Sequence, residues 1–404
     1  MAGYQELIRQ KVVLVGRATD DGVYGDHSQL TFGLDHVRVL APYVRDVPGS
    51  IKIAGFGAPA VYRGDVVQAS GKLYPTRGNN LASMSFANVV VQASEPSTID
   101  LLRRRFVAGM QSALPEPHAS FGLGLLIGQR STLPRDIADT LLTVGLVHII
   151  AVSGYNLTII IEAARRLFAN RSKFQMAATC TLLIGVFLFI TGNSPSIVRA
   201  SIISMLSVVA AYYGRTIKPL ALLLTAAAIT VYANPLYLWG NVSWYLSFLA
   251  FFGVVVVAPL VTERLYKGRT PGLVAKMLIE SLCAEIMTLP YVLYIFGQMS
   301  LVALPANIFV AALVPPAMVL CAVAGCAGML LPAISGWFAW PAHMVLTYML
   351  DVAKLLSRMP HAFVEHIGFS LVALLVAYAA TALLVVGLRH QSMKKYAIIT
   401  GKKE

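Results

Sequence analysis

Arg199, Glu280 and Glu285 are charged residues set within long apolar runs, where an ionised group is costly unless it faces a cavity or a partner. Arg199 follows the turn-forming residues Ser194, Pro195 and Ser196, and a planar guanidinium suits either a carboxylate or a phosphate. The plainer alternative is a cation that snorkels to the headgroups from a helix end. The two glutamates could pair with Arg199, or carry protons in a transporter. His148 and Ser153 stand five residues apart in another apolar stretch, and Gly154 follows directly. A serine nucleophile with a histidine base is one chemistry for them, which needs the base within about 3 Å and an oxyanion hole. A polar lining on a broken helix is the second, and close helix packing at a Ser-Gly pair is the third. Asn156, Ser247, Gln298 and Asn307 are further polar residues in apolar surroundings and join the candidates for such a lining. Cys180, Cys283, Cys321 and Cys326 lie in apolar stretches with no Cys-x-x-Cys pair and no Cys/His cluster. Neither a zinc site nor a disulfide framework is therefore expected, and no metal or cofactor.

Such residues need helices in lipid to hold them. The chain of 404 residues is 57% hydrophobic and 13% charged, against about 25% charged in average soluble domains. Its mean hydropathy of +0.69 points the same way. The runs 175–191, 196–213, 217–233, 238–260, 273–296 and 363–388 approach the ~20 apolar residues that cross a bilayer. Backbone groups in lipid must bond within their own segment, so the runs predict helices. The fold class is a polytopic α-helical membrane protein, with residues 97–404 as its transmembrane domain.

Residues 1–96 differ. Strand-like alternation covers 11–19, 29–40, 50–54, 66–74 and 86–93, and Gly, Pro, Asp and Asn punctuate the gaps. Five short strands predict a small all-β, OB-like barrel. OB-folds often bind single strands on aromatics in a basic groove. Tyr24, Tyr43, Phe56, Tyr62 and Tyr74 could stack bases, while Arg38, Arg45, Lys52, Arg63, Lys72 and Arg77 could track phosphates. Equally, the aromatics could fill the barrel and its rim, since residues 1–100 hold nine basic and nine acidic residues. Residues 1–10 lack the apolar stretch of a signal peptide. An outward-facing N-terminal domain would need another export device or a longer chain.

The net charge of +13 lies in the membrane part. Basic residues gather at Arg165, Arg166, Arg171 and Lys173, at Arg215 and Lys218, at Arg264, Lys267 and Arg269, and in the C-terminal tail. The connections 192–195, 234–240 and 297–300 carry no charge, so the positive-inside rule places them opposite the basic loops. Two half-length helices around Pro315 and Pro316 then complete an even count of crossings, and 337–359 reads as an interfacial amphipathic helix. The breaks at Ser153–Gly154 and around Pro305, Pro315 and Pro316 suggest two irregular regions that meet along one polar path.

At four places the chain resembles the ComEC-type competence proteins, which internalise single-stranded DNA during natural transformation. Residues 148–154, His-Ile-Ile-Ala-Val-Ser-Gly, look like the family's HLLAISG-type segment. Residues 192–200, Gly-Asn-Ser-Pro-Ser-Ile-Val-Arg-Ala, are similar to its G-x-SPS-x-x-RA segment. Residues 246–253 match its LSF-x-A-x-x-G pattern, and 296–301 with Asn307 and Pro315 match its FGQ-x-S stretch. The segments keep the family's order and are specific together. The resemblance also implies an OB-like domain ahead of the membrane domain. Three departures stand out: Tyr155, Asn156 and Leu157 follow where the family has Leu-His-Val, no helices precede the β region, and no HxHxDH nuclease motif is present.

The resemblance implies a DNA-uptake channel of the cell membrane without catalytic chemistry of its own. Its partners would be single-stranded DNA, the lipid bilayer and other competence proteins: a DNA receptor, a separate nuclease and a cytoplasmic DNA motor. It could also work as an oligomer. A proton-coupled carrier of small solutes and an intramembrane serine hydrolase are the alternatives.

Overall fold

The computed structural model describes residues 6–24, 29–47, 49–58, 60–75, 82–94, 98–129, 132–150, 157, 160, 161, 164, 165, 168, 172–191, 195–215, 218–239, 241–266, 269 and 271–400. The alternation read in the N-terminal region becomes strands: β1 Lys11–Ala18, β2 Val23–Tyr24, β3 Leu30–Ala41, β4 Arg45–Val47, β5 Ile51–Gly57, β6 Asp65–Tyr74 and β7 Ala82–Ser94. Every second residue turns inward, so Leu14, Leu30, Leu34, Ile51, Ile53, Leu73 and Met84 are fully buried in one apolar cluster. The pairing order runs β1, β6, β7, β5, β3, and β3 pairs with β1 as well. β5 and β7 are parallel, while β1 with β6, β1 with β3, β3 with β5 and β6 with β7 are antiparallel.

Helices follow: α1 Thr98–Ala113, α2 His118–Ile127, α3 Arg135–Thr143, α4 Val147–Ile150, α5 Lys173–Thr191, α6 Pro195–Tyr212, α7 Pro219–Ala233 and α8 Val242–Phe252. A π-helical stretch, Gly253–Val257, joins α8 to α9 Ala258–Tyr266. Then come α10 Leu273–Phe296, α11 Ala303–Ala311, α12 Val314–Leu330, α13 Ser335–Ser357 and α14 Leu371–Thr400. Among the described residues three helices are long and apolar enough to cross a membrane: Lys173–Thr191, Val242–Tyr266 and Ala275–Phe296. α11 and α12 make a fourth candidate as a pair bent by 51°. A chain with these helices is suited to a bilayer by length and composition.

Three apolar clusters order the helices. The main one gathers Met110 of α1, Phe121, Leu123 and Leu125 of α2, Ile149 and Ile150 of α4, Val310 of α11, Met318 of α12 and Leu346 of α13. A second joins Ile184 of α5 to Ile197 and Ala200 of α6. The third joins Val257 and Ala258 to Ile279, Cys283 and Met287 of α10, with Tyr378 of α14 against it. α1 crosses α12 at glycines: a Cβ on Gly328 would stand 1.9 Å from the Gly109 carbonyl oxygen. Gly328→Ala should therefore push the two helices apart and cost about 1–3 kcal/mol or more. The unfolding midpoint in detergent reads the effect, and an unchanged midpoint would contradict so close a crossing.

The structure corrects three boundaries. The apolar run 363–388 is not one helix, because Phe363–Val364 pairs as a strand with Met299–Ser300 and the helix begins only at Leu371. Hydrogen bonds from Leu301 N to Ala362 O (2.9 Å) and from Ile367 N to Gly297 O (2.8 Å) satisfy that backbone instead. The run 238–260 starts as a helix at Val242, where the Asn241 side chain accepts from Trp244 N at 2.9 Å and caps it. Pro315 and Pro316 sit in the first turn of α12, where a missing N–H costs nothing, and not in the break itself. The stretch expected as an interfacial helix is α13, which buries Ala339, Ala342, Leu346, Met349, Leu350 and Ala353 in the main cluster and exposes Trp337 and Trp340.

Candidate functional site

Helical spacing builds the site. Trp244, Ser247, Phe248 and Phe251 fall at i, i+3, i+4 and i+7 on α8, so they share one face. Ser196 and Arg199 lie one turn apart on α6 and meet that face. Arg199 is 6% exposed, and its Nε donates to Ser247 Oγ at 2.7 Å. Ser196 Oγ donates to the same oxygen at 2.8 Å. The guanidinium carbon lies 5.0 Å from the Phe251 ring centre and 5.6 Å from that of Phe248. Trp244 extends the network, with its Nε1 donating to Thr230 Oγ1 of α7 at 3.0 Å. A cation is thus held between two aromatic faces and a hydroxyl, a setting that keeps a positive charge deep among apolar helices.

Neither glutamate offered as a partner forms an ion pair with Arg199. Glu280 lies 3.8 Å from Lys276 on its own helix. Glu285 carries a buried Oε2 with no hydrogen-bond partner. The two helices do touch: a Cβ on Gly253 would stand 2.5 Å from Cys283 O, so only glycine lets the π-helical stretch approach α10 there. π-bulges of this kind are frequent at functional sites.

The two irregular regions also meet. Gly145, at φ +74°, lies where a Cβ would be 2.7 Å from Ala303 Cβ and 3.3 Å from Ser300 Cβ. The shared core between them is apolar, with Leu146, Ile149, Ile150, Val302 and Ala306. His148 is exposed, and its Nδ1 lies 3.0 Å from Gly145 O. Asn307 is 8% exposed and its Oδ1 has no partner, whereas Gln298 is half-buried. Pro195 is the first residue of α6. Arg77, Ser153, Gly154, Asn156 and Ser194 lie outside the described residues.

In the β region several candidates are already engaged. Arg38 lies 3.5 Å from Asp46, Arg45 lies 3.9 Å from Glu6, and Tyr43 OH donates to Glu6 at 3.4 Å. Tyr62 and Arg63 belong to the junction with the helices. Arg104 of α1 sits 5.0 Å over the Tyr62 ring, Arg63 lies 3.7 Å from Asp100 of α1, and its Nη1 donates to Phe189 O of α5 at 3.2 Å. Arg103–Asp21 (3.0 Å) and Arg104–Asp65 (3.1 Å) complete the junction, around a cavity of about 340 Å³. Phe56 and Tyr74 are free to meet a ligand, both exposed. The backbone of Tyr24 pairs with Leu30.

Sequence reading missed a histidine pair. The rings of His118 and His343 are 4.3 Å apart, and Thr347 Oγ1 lies 2.9 Å from His118 Nε2. Burial, then the neighbouring His343, lowers the His118 proton affinity below its usual value. His118 precedes and His343 follows the four motifs, so no spacing joined them.

A family model described as "Competence protein" matches residues 125–391. The chain belongs to the competence protein family. It is also similar to ComE operon protein 3 of Bacillus subtilis (strain 168), at 23% identity over 240 residues, which are 59% of this chain and 30% of that protein. The chain thus spans about a third of the length of the curated relative it matches. No solved structure matches. The Arg199–Ser247 contact falls inside the competence match, and it joins the segment 192–200 to the segment 246–253 in space.

Proposed function

We propose that this chain is a multi-pass protein of the cell membrane that carries single-stranded DNA inward during DNA uptake for natural transformation. The observation that supports it most is the Arg199–Ser247 contact within the competence match: a buried guanidinium bonded to a serine and paired with no carboxylate among the described residues. Such a group has capacity left for a phosphate oxygen. The strand pairing, which runs from β1 through β6, β7, β5 and β3 back to β1, supports an OB-like barrel as the strand's platform before the membrane. A DNA receptor and a cytoplasmic motor would work alongside it, and residues 97–404 would move DNA without cutting it.

Deleting the gene in a transformable host tests this. Labelled DNA should still bind the cell surface, while its protected cytoplasmic fraction should vanish. Undiminished arrival in the cytoplasm would overturn the proposal. Purified protein should leave labelled single strands intact in divalent metal, and robust metal-dependent degradation would remove the non-cleaving part. The unpartnered Oε2 of Glu285 favours one second reading, a proton-coupled carrier of small solutes. That carrier would take up solute in a pH-dependent way and be indifferent to DNA.

A further inference from the structure

Phe86 is 76% exposed and adopts φ +55°, a backbone region that bulky residues rarely occupy. A bulge on β7 puts it there. Ile53 and Gly55 of β5 face Met84 and Ala87, and Ser70 and Lys72 of β6 face Asn88 and Ser85, so both neighbours skip one residue of β7. Ser85 and Phe86 therefore both turn outward. Gly55 and Gly57 let β5 follow the kink, since a Cβ on Gly55 would stand 2.1 Å from Ala87 O and one on Gly57 2.6 Å from Val89 O. Between those glycines Phe56 projects beside Phe86, with ring centres 6.4 Å apart and planes inclined at 33°. An exposed phenyl on strained backbone gains nothing from burial, so stability does not explain it.

The surroundings say what fits. Lys52, Lys72 and Tyr74 are exposed on the same three strands. The one acidic residue in those strands, Asp65, is buried and held by Arg104. The face thus offers cations and aromatic rings with no carboxylate among them. The ring centres stand 6.4 Å apart and both rings are exposed, so a base can stack against them. We propose that Phe86 and Phe56 form a slot that takes one unpaired nucleobase, with Lys52 and Lys72 meeting the flanking phosphates. This rests on the DNA-uptake reading and adds the place where the strand is first held. Stacking on such rings tolerates any base, so little sequence preference follows.

The test uses the full chain in nanodiscs with a fluorescent oligothymidylate at low salt. Phe86→Asn should weaken binding about tenfold or more. Its unfolding midpoint should hold or rise, because asparagine accepts a positive φ. Phe86→Trp should keep the affinity, and its added emission should be quenched by the oligonucleotide. Unchanged affinity in Phe86→Asn overturns the slot. So does quenching of Phe86→Trp by brominated lipid in place of oligonucleotide, which would make the pair a membrane anchor. A wild-type chain that binds no oligonucleotide removes the slot, while the gene deletion decides separately whether the uptake reading stands.

Discussion

Asp65→Ala should loosen the β region from the helices and lower stability by about 2–4 kcal/mol. The carboxylate is 3% exposed. It accepts from Tyr62 N at 2.8 Å, Ser94 Oγ at 2.6 Å and Arg104 at 3.1 Å. Truncation strands all three donors, one of them charged. The cost falls short of the fully buried range because the Arg104 side chain is 34% exposed and can turn to water. Adding Arg104→Met should recover part of the loss, since the unpaired charge goes with it. Arg38→Met is the contrast: that side chain is 59% exposed and its partner Asp46 82% exposed, so less than about 1 kcal/mol is at stake. Urea or thermal unfolding of the four proteins decides the matter. Equal losses for Asp65→Ala and Arg38→Met would mean that the junction is not a buried network.

The ion pairs at this junction show what a sequence does and does not disclose. Strands β1, β3, β5, β6 and β7 are legible because an inward residue alternates with an outward one, a period visible in any single strand. The pairing of β1 with β3 and of β5 with β7 is not, because pairing is a relation between strands. Phe86 opens the alternating stretch 86–93, which reads as an ordinary strand. Its exposure comes from one inserted residue on β7, which periodicity alone does not detect. The apolar runs likewise gave the helices their approximate places. Hydropathy gave no warning at Phe363, because a two-residue ladder and a spanning helix are equally apolar. Arg199 stood out as a charge in an apolar run. Its partner did not, because Ser247 is 48 residues away and a neutral hydroxyl leaves no charge signal. The spacing of Trp244, Ser247, Phe248 and Phe251 held that information, but only a known neighbour gives one helix face its meaning.

Arg199→Met should cost little stability and much transport. Burying a guanidinium among apolar helices costs about 2.5–3.5 kcal/mol on insertion scales. Against this stand one charge-assisted hydrogen bond, about 1.5–3 kcal/mol, and two aromatic faces at about 0.5–2 kcal/mol each. The two sides overlap at the lower end of these ranges, and methionine keeps most of the apolar contact with Phe248 and Phe251. Among the described residues no carboxylate loses its partner, because Glu280 is with Lys276 and Glu285 forms no ion pair with Arg199. The change in stability should therefore stay within about 1–2 kcal/mol. DNA uptake should fall about ten- to a hundredfold, the worth of one charged hydrogen bond to a passing phosphate. Arg199→Lys should lie between, keeping the charge but losing the Nε donor and the planar stack. Protein level, unfolding midpoint and transformation frequency need measuring together for both variants. Normal transformation in Arg199→Met would show that the cation serves packing alone. Loss of the folded protein would instead make the Ser196–Ser247–Arg199 knot a structural tie between α6 and α8, and the phosphate would have to find another cation.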